Sequence, residues 1–111
     1  MKVGIIVTSD DVVKLYEAGT YIATELARGN EVVVFVTGRA TLAFAGRSTP
    51  PDTDEVRRMR ELHVMWDELF SAAKPMGVKI IACETASRIF AVTEEEYKKL
   101  GLVDTVSSMY T

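Results

Sequence analysis

The sequence holds one cysteine, one histidine and one tryptophan in 111 residues, and only three prolines. A lone cysteine cannot close an internal disulfide, which fits a reducing compartment and leaves Cys83 as a free thiol. One cysteine and one histidine also fall short of the roughly four ligands a zinc centre requires, so no metal site is expected. The longest uninterrupted apolar run, Val32 to Val36, is far below the roughly 20 residues of a membrane-spanning helix, so no membrane partner is expected either. Basic charge is scarce: the formal net charge is -3, and the densest cluster, Arg57, Arg58 and Arg60, stands among Asp54, Glu55 and Glu61. Such a mixture reads as a solvated helix face and argues against nucleic acid as a partner. No glycine-rich turn follows the first apolar run, which leads into Thr8-Ser9-Asp10-Asp11-Val12, and no glycine precedes a Lys-Ser or Lys-Thr pair. A phosphate loop is thereby excluded, two adjacent aspartates would repel a pyrophosphate, and no cofactor is expected.

What is present belongs to an ordinary globular chain, 48% apolar and 26% charged. The length suits a single domain over residues 1–111, with a continuous core but no second lobe, so a deep pocket would need a second subunit. The N-terminal Lys2-Val3-Gly4-Ile5-Ile6-Val7 reads as a strand and not as a secretory leader, so a cytoplasmic location is expected.

Periodicity supplies the order of elements. Val3 to Thr8 is a β-branched strand ending where Ser9 or Asp10 can cap a helix. Val12, Leu15, Tyr16, Gly19, Ile22, Ala23 and Leu26 then recur at helical spacing until Gly29. Glu31 to Thr37 is continuously apolar after its first residue, as expected of a strand buried on both faces of a parallel sheet. A short helix is expected over Arg39 to Ala45, and a loop over Gly46 to Asp52. Asp52 and Glu55 resemble a capping box opening one long helix, whose stripe of Val56, Met59, Leu62, Trp66, Leu69, Phe70 and Ala73 runs to Pro75-Met76-Gly77. Val78 to Ala82 gives a third strand, Thr85 to Phe90 a short helix, and Thr93 with Glu96 a capping box for a helix over Glu94 to Leu100. Leu102 to Tyr110 reads as a last, edge strand. The alternation predicts a three-layer α/β sandwich with a mostly parallel sheet of four to five strands.

In such sheets the functional crevice lies outside the carboxyl ends of the strands. That rule gathers Thr8, Ser9 and Asp10, then Thr37 and Gly38, then Cys83, Glu84 and Thr85. Cys83 is the strong nucleophile among them, at a strand-to-helix junction where a helix N-terminus favours a thiolate. A packed, inert thiol is the competing reading, because Cys83 also continues the core run Ile80-Ile81-Ala82. The neighbouring Glu84 would oppose a thiolate if its charge lay close, although successive strand residues point to opposite faces. His63, placed mid-helix between Leu62 and Val64, is expected in a structural or surface role, and a Cys-His hydrolase would require it to reach Cys83. Gly38-Arg39-Ala40-Thr41 could hold an anion at a helix start, or Arg39 could simply be solvated. Met59, Met65 and Met76 with Phe44 exceed what so small a core is expected to hide, which points to burial between subunits.

The stretch Gly77-Val78-Lys79-Ile80-Ile81-Ala82-Cys83, followed by Val92-Thr93-Glu94-Glu95-Glu96 and then Gly101-Leu102-Val103, resembles the C-terminal half of the DsrE/DsrF/TusD-like sulfur-relay proteins. Val33 to Val36 followed by Gly38 is similar to that family's second strand and glycine turn. The specific part of the resemblance is Ala82-Cys83. Two features depart from the pattern: Glu84-Thr85-Ala86-Ser87-Arg88 replaces a methionine- or alanine-rich segment, and Thr37 stands where an acidic residue is common. The resemblance implies a sulfur carrier that accepts sulfane sulfur on Cys83 as a persulfide and passes it to a partner thiol. Ser9, Thr37, Gly38, Glu84 and Thr85 would then line the substrate position. It also implies donor and acceptor proteins as partners and a homo-oligomer, a trimer or hexamer. The alternative is a non-enzymatic oligomeric α/β binding module with an inert, buried cysteine.

Overall fold

Three runs rich in β-branched residues form the strands their composition predicts, and they pair in parallel in the order in which they occur. The computed structural model describes residues 1–108, in which β1 (Lys2–Val7), β2 (Glu31–Val36), β3 (Lys79–Cys83) and a short β4 (Thr105–Ser107) make one sheet of order β1-β2-β3-β4. Ile5 stands opposite Val34, Val34 opposite Ile80, and Ala82 opposite Val106, all in parallel register. The last strand is shorter than the expected Leu102 to Tyr110, and the part of that reading beyond Ser108 lies outside the described residues.

The first helix, α1 (Val12–Ala27), is capped neither by Ser9 nor by Asp10. Asp11 accepts the Lys14 N–H at 3.0 Å, while the Ser9 hydroxyl accepts the Asp11 N–H at 3.0 Å and shapes the turn before it. Gly29, at φ 84°, closes the helix as expected. The short α2 (Ala40–Phe44) falls within the segment assigned to it.

The single long helix expected after the proline-rich loop is two helices, α3 (Asp54–Glu61) and α4 (Trp66–Ala73). The chain is stopped by hydrogen bonds from the His63 N–H to the Arg60 carbonyl and from the Val64 N–H to the Met59 carbonyl, with His63 at φ 59°. This is a Schellman closure with histidine where glycine is usual, and no glycine or proline marks it in the sequence. Leu62 is consequently 71% exposed and leaves the expected stripe. Nor do Asp52 and Glu55 form a capping box. Thr53 caps α3 by accepting the Val56 N–H, and Asp52 pairs instead with Arg57 at 3.0 Å. After a 3-10 turn over Lys74–Met76 comes β3, followed by α5 (Glu84–Ile89) and α6 (Glu94–Tyr97), where the Thr93–Glu96 capping box is present as read.

The α/β class and the parallel four-stranded sheet are as expected. The helices nevertheless cover the two faces of the sheet unequally. Strands that follow one another in space as in sequence, joined by right-handed crossovers, receive all their helices on one face. Burial alternates accordingly. Val32, Val34, Val36, Ile80 and Ala82 are at most 2% exposed, while Ile6 is 61% exposed and Val33, Phe35 and Ile81 are half-buried. The expectation that β2 is buried on both faces therefore fails within one chain. Under the covered face, Phe44, Trp66 and Phe70 pack with ring centroids 4.9, 5.3 and 5.7 Å apart. Gly19 lets α1 approach α4 so closely that a Cβ there would lie 3.0 Å from the Leu69 Cβ. Met59, Met65 and Phe44 are all buried in this core and only Met76, 54% exposed, is left outside, so the surplus of apolar bulk inferred from the sequence is largely absent.

Candidate functional site

The residues gathered at the carboxyl ends of the strands fall into two groups. Where β1 and β2 end, the chains touch: Gly38, at φ 56°, passes so near β1 that a Cβ on it would lie 3.1 Å from the Thr8 carbonyl oxygen. Only glycine fits both that angle and that gap. The Thr37 N–H donates to the Val7 carbonyl at 3.0 Å, prolonging the ladder by one residue. Beyond this contact Arg39 lies 3.4 Å from the Asp10 carboxylate and stacks over Phe90, 5.9 Å from the ring centre. Ser48 donates to the same carboxylate at 3.5 Å. Asp10, Arg39 and Ser48, with Thr49, Pro50 and Pro51 of the 46–53 loop, line a cavity of about 570 Å³ that does not include Cys83. The 46–53 loop therefore borders the β1–β2 end of the sheet.

Cys83 occupies the second group. It is the last residue of β3 and the N-cap of α5, one step beyond the Val36–Ala82 pair that sets it next to Thr37 along the sheet edge. On the other side it registers with Ser107 of β4. Its backbone is extended, at φ -68° and ψ 125°, so the side chain turns back over the first turn of α5 and Sγ accepts the Ala86 N–H at 3.4 Å. The thiol is free and half-buried, which places it between the exposed and the packed extremes anticipated. Glu84 is drawn away into an ion pair with Arg88 at 2.9 Å along α5, and Thr85 is exposed.

Behind Cys83 lies a buried polar chain that sequence reasoning missed. The Ser87 hydroxyl donates to the Cys83 carbonyl at 2.7 Å and lies 2.6 Å from the Tyr97 hydroxyl, while the Thr41 hydroxyl of α2 donates to the Gly38 carbonyl at 2.8 Å. Burial pushes the Tyr97 phenol above its ordinary value, partly offset by its polar neighbours Ser87 and Thr41. The Ser87 and Tyr97 hydroxyls tie the Cys83 backbone to α6. No local pattern marks this tie, because Ser87 lies in a largely polar helix, Glu84–Ile89.

A second support also escaped notice. Arg47 donates to the Phe90 and Ala91 carbonyls at 3.0 and 2.7 Å and to both oxygens of Glu96 at 2.5 and 2.6 Å. The Arg47 guanidinium, aided by the Thr93 N–H, holds the Glu96 carboxyl at about 2. Ala91 stands at φ 54°, a left-handed position unusual for alanine, and Arg47 bonds the two carbonyls around it. His63 takes no part in any of this. It is exposed at the break between α3 and α4, its nearest carboxylate being Glu68 at 3.9 Å, and no hydrogen bond joins it to Cys83. Among the described residues no cluster of His, Cys, Asp or Glu could hold a metal ion, and no helix is long and apolar enough to cross a membrane.

Fold and site together define a small parallel α/β protein that presents one free thiol where its third strand turns into a helix. The chain belongs to the DsrE/DsrF-like family, which matches it over residues 1–111 and is associated with sulfur relay. Among solved structures, a conserved protein of unknown function from Bacteroides thetaiotaomicron, BT1422, superposes with a TM-score of 0.61 at 20% identity, over 97% of this chain and 79% of that one. At that identity the likeness speaks for the fold alone. No curated protein matches the chain.

Proposed function

We propose that the protein is a cytoplasmic sulfur carrier in which Cys83 holds sulfane sulfur as a persulfide. The observation that carries this reading is the setting of the chain's one thiol. Cys83 is partly exposed at the carboxyl edge of the sheet, with the Ala86 N–H aimed at Sγ, in a chain of a sulfur-relay family. In the first step the Cys83 thiolate attacks the outer sulfur of a donor persulfide. The Cys83 S–S bond forms, the donor's S–S bond breaks, and the donor leaves as a thiolate. In the second step an acceptor thiolate attacks the outer sulfur now on Cys83, and Cys83 is released as a thiolate. Neither step changes the number of electrons held by the participants, and neither needs a further catalytic group.

Thr37, just beyond the end of β2, and Thr85, in the first turn of α5, are the groups we assign to contact with the incoming persulfide. Gly38 and Ser9 shape the neighbouring turns, and Glu84 with Arg88 forms the charged margin that a donor or acceptor protein would meet. Those two proteins are the expected partners, and a homo-oligomer, trimer or hexamer, is the expected form.

The test is incubation of the native protein with a sulfane-sulfur donor, followed by intact mass measurement. The expected result is a gain of one sulfur atom that is removed by a reducing thiol and absent in Cys83→Ser. If the native protein neither gains sulfur nor reacts with a thiol reagent at neutral pH, the carrier reading is lost and a non-enzymatic binding module with an inert cysteine takes its place.

A further inference from the structure

Two arginines line the cavity of about 570 Å³ at the β1–β2 end of the sheet, and they are held in opposite ways. Arg47 is saturated, with donors on the Phe90 and Ala91 carbonyls and on both oxygens of Glu96, all at 3.0 Å or less. Arg39 makes one long contact, 3.4 Å from a single nitrogen to Asp10, well beyond the ~2.7–2.9 Å of a formed charge-assisted bond. What keeps it in place is Phe90, whose ring it covers at 5.9 Å and whose carbonyl Arg47 holds. The Asp10 carboxylate is equally under-used. Ser48 reaches it at 3.5 Å on the same oxygen that faces Arg39, so Oδ1 has no partner among the described residues. Asp11, the other acid there, is already engaged in capping α1. A base and an acid thus stand side by side at the cavity, their side chains 62% and 30% exposed, with most of their hydrogen-bonding capacity open.

We propose that this cavity binds a free α-amino acid, its carboxylate on the Arg39 guanidinium and its ammonium on the Asp10 carboxylate. Charge and spacing select that ligand. A simple anion such as phosphate would meet Asp10 and Asp11, and a simple polyamine would meet Arg39, so a ligand of one sign is opposed in either case. A zwitterion answers both groups, and because the two protein charges lie 3.4 Å apart its own charges must also be close together. An α-amino acid carries them on one carbon, whereas a peptide separates its termini by whole residues. The open edge of the Arg39 guanidinium matches a carboxylate in shape as well as in sign. The remaining lining sets the side chain. Val12, Leu42, Pro50 and Pro51 form an apolar wall, which suits an aliphatic or thioether chain, and the two prolines have little freedom to lose when it is covered. The volume leaves room for water between ligand and wall. Cys83 lies outside the cavity, so the inference stands whether or not that thiol carries sulfur.

Isothermal titration of the native protein with L-methionine and L-leucine tests it. Saturable binding of at least one is expected, with a Kd below ~1 mM. The N-acetyl form, which lacks the ammonium, and the amide, which lacks the carboxylate, should each bind at least ~10-fold more weakly, because each leaves one protein charge unanswered. Inorganic phosphate and putrescine, which carry charge of one sign, should not compete. Asp10→Asn should abolish the preference for the free amine over the acetylated form, and Arg39→Gln the preference for the acid over the amide. Circular dichroism should show both variants folded, and the loss of one preference with the other kept is not something unfolding can produce. A native protein that binds neither amino acid up to ~10 mM overturns the inference. So does a blocked form that binds as tightly as the free amino acid, displacement by phosphate or putrescine, or a pair of variants that keep both preferences.

Discussion

The two faces of the sheet are made from the same strands and nearly the same residue types, yet they have opposite fates. Toward the helices, Val34, Val36, Ile80 and Ala82 are wholly buried, while toward the outside Ile6 is 61% exposed and Phe35 and Ile81 are only half-buried. Composition does not separate them, since valine and isoleucine occur on both. The separation comes from strand order, which sends every crossover to the same side. What the difference teaches is that the apolar run of a parallel strand states a demand for burial on two faces, and a small chain can meet half of it. The largest expected effect follows directly. Ile80→Ala should destabilise the protein by ~2–5 kcal/mol, because the cavity it leaves cannot close. Ile81→Ala, one residue away, should cost less than about 1 kcal/mol in a dissociated chain, because that side chain is already half in water. Urea unfolding of both variants at low protein concentration checks the contrast, and equal losses would break it.

A second contrast lies between the two strand-end groups, one held by close packing and one by hydrogen bonds. At the β1–β2 end, Gly38→Ala would force a Cβ to 3.1 Å from the Thr8 carbonyl oxygen at a positive φ. The expected cost is ~1–3 kcal/mol, read from thermal or urea unfolding, with the Cys83 junction on the next strand left in place. A variant as stable as the wild type would show that the turn has room to relax.

Much of this was legible in the sequence. The three long strands, α1, the Gly29 stop, the Thr93–Glu96 capping box and the position of Cys83 all follow from period, β-branching and caps, which act over a few residues. The failures share a cause. The α3–α4 break is written in backbone hydrogen bonds around His63, and the apolar stripe continues in phase across it. The Ser87–Tyr97 bond joins two different helices, and the unequal covering of the two sheet faces depends on strand order, which β-branching leaves undetermined. The Arg47–Glu96 pair joins residues on different elements and is equally silent in local pattern.

That pair offers a finer test of how the covered side is fastened. Glu96 is held at about 2 in the folded protein against an ordinary 4.5, chiefly by the Arg47 hydrogen bonds and then by the Thr93 N–H. A carboxyl depressed on folding adds stability above its unfolded value and loses it as the pH falls toward the folded one. The stability difference between wild type and Glu96→Gln should therefore be constant above about pH 5 and shrink toward zero near pH 2. Urea midpoints at stepped pH measure it, and a difference that persists undiminished at pH 2 would show that the ion pair is not its source.

The smallest effect on stability is expected at the site itself. Cys83→Ser keeps the N-cap role, because a hydroxyl accepts the Ala86 N–H at least as well as sulfur does, and serine is a favoured cap. The Ser87 bond to the residue 83 carbonyl uses the backbone and is unaffected. The change should therefore shift stability by less than about 1 kcal/mol while removing every trace of thiol labelling and sulfur uptake. A larger loss would mean that the sulfur is needed for packing, and the thiol would then belong with the buried face of the sheet and not with its working edge.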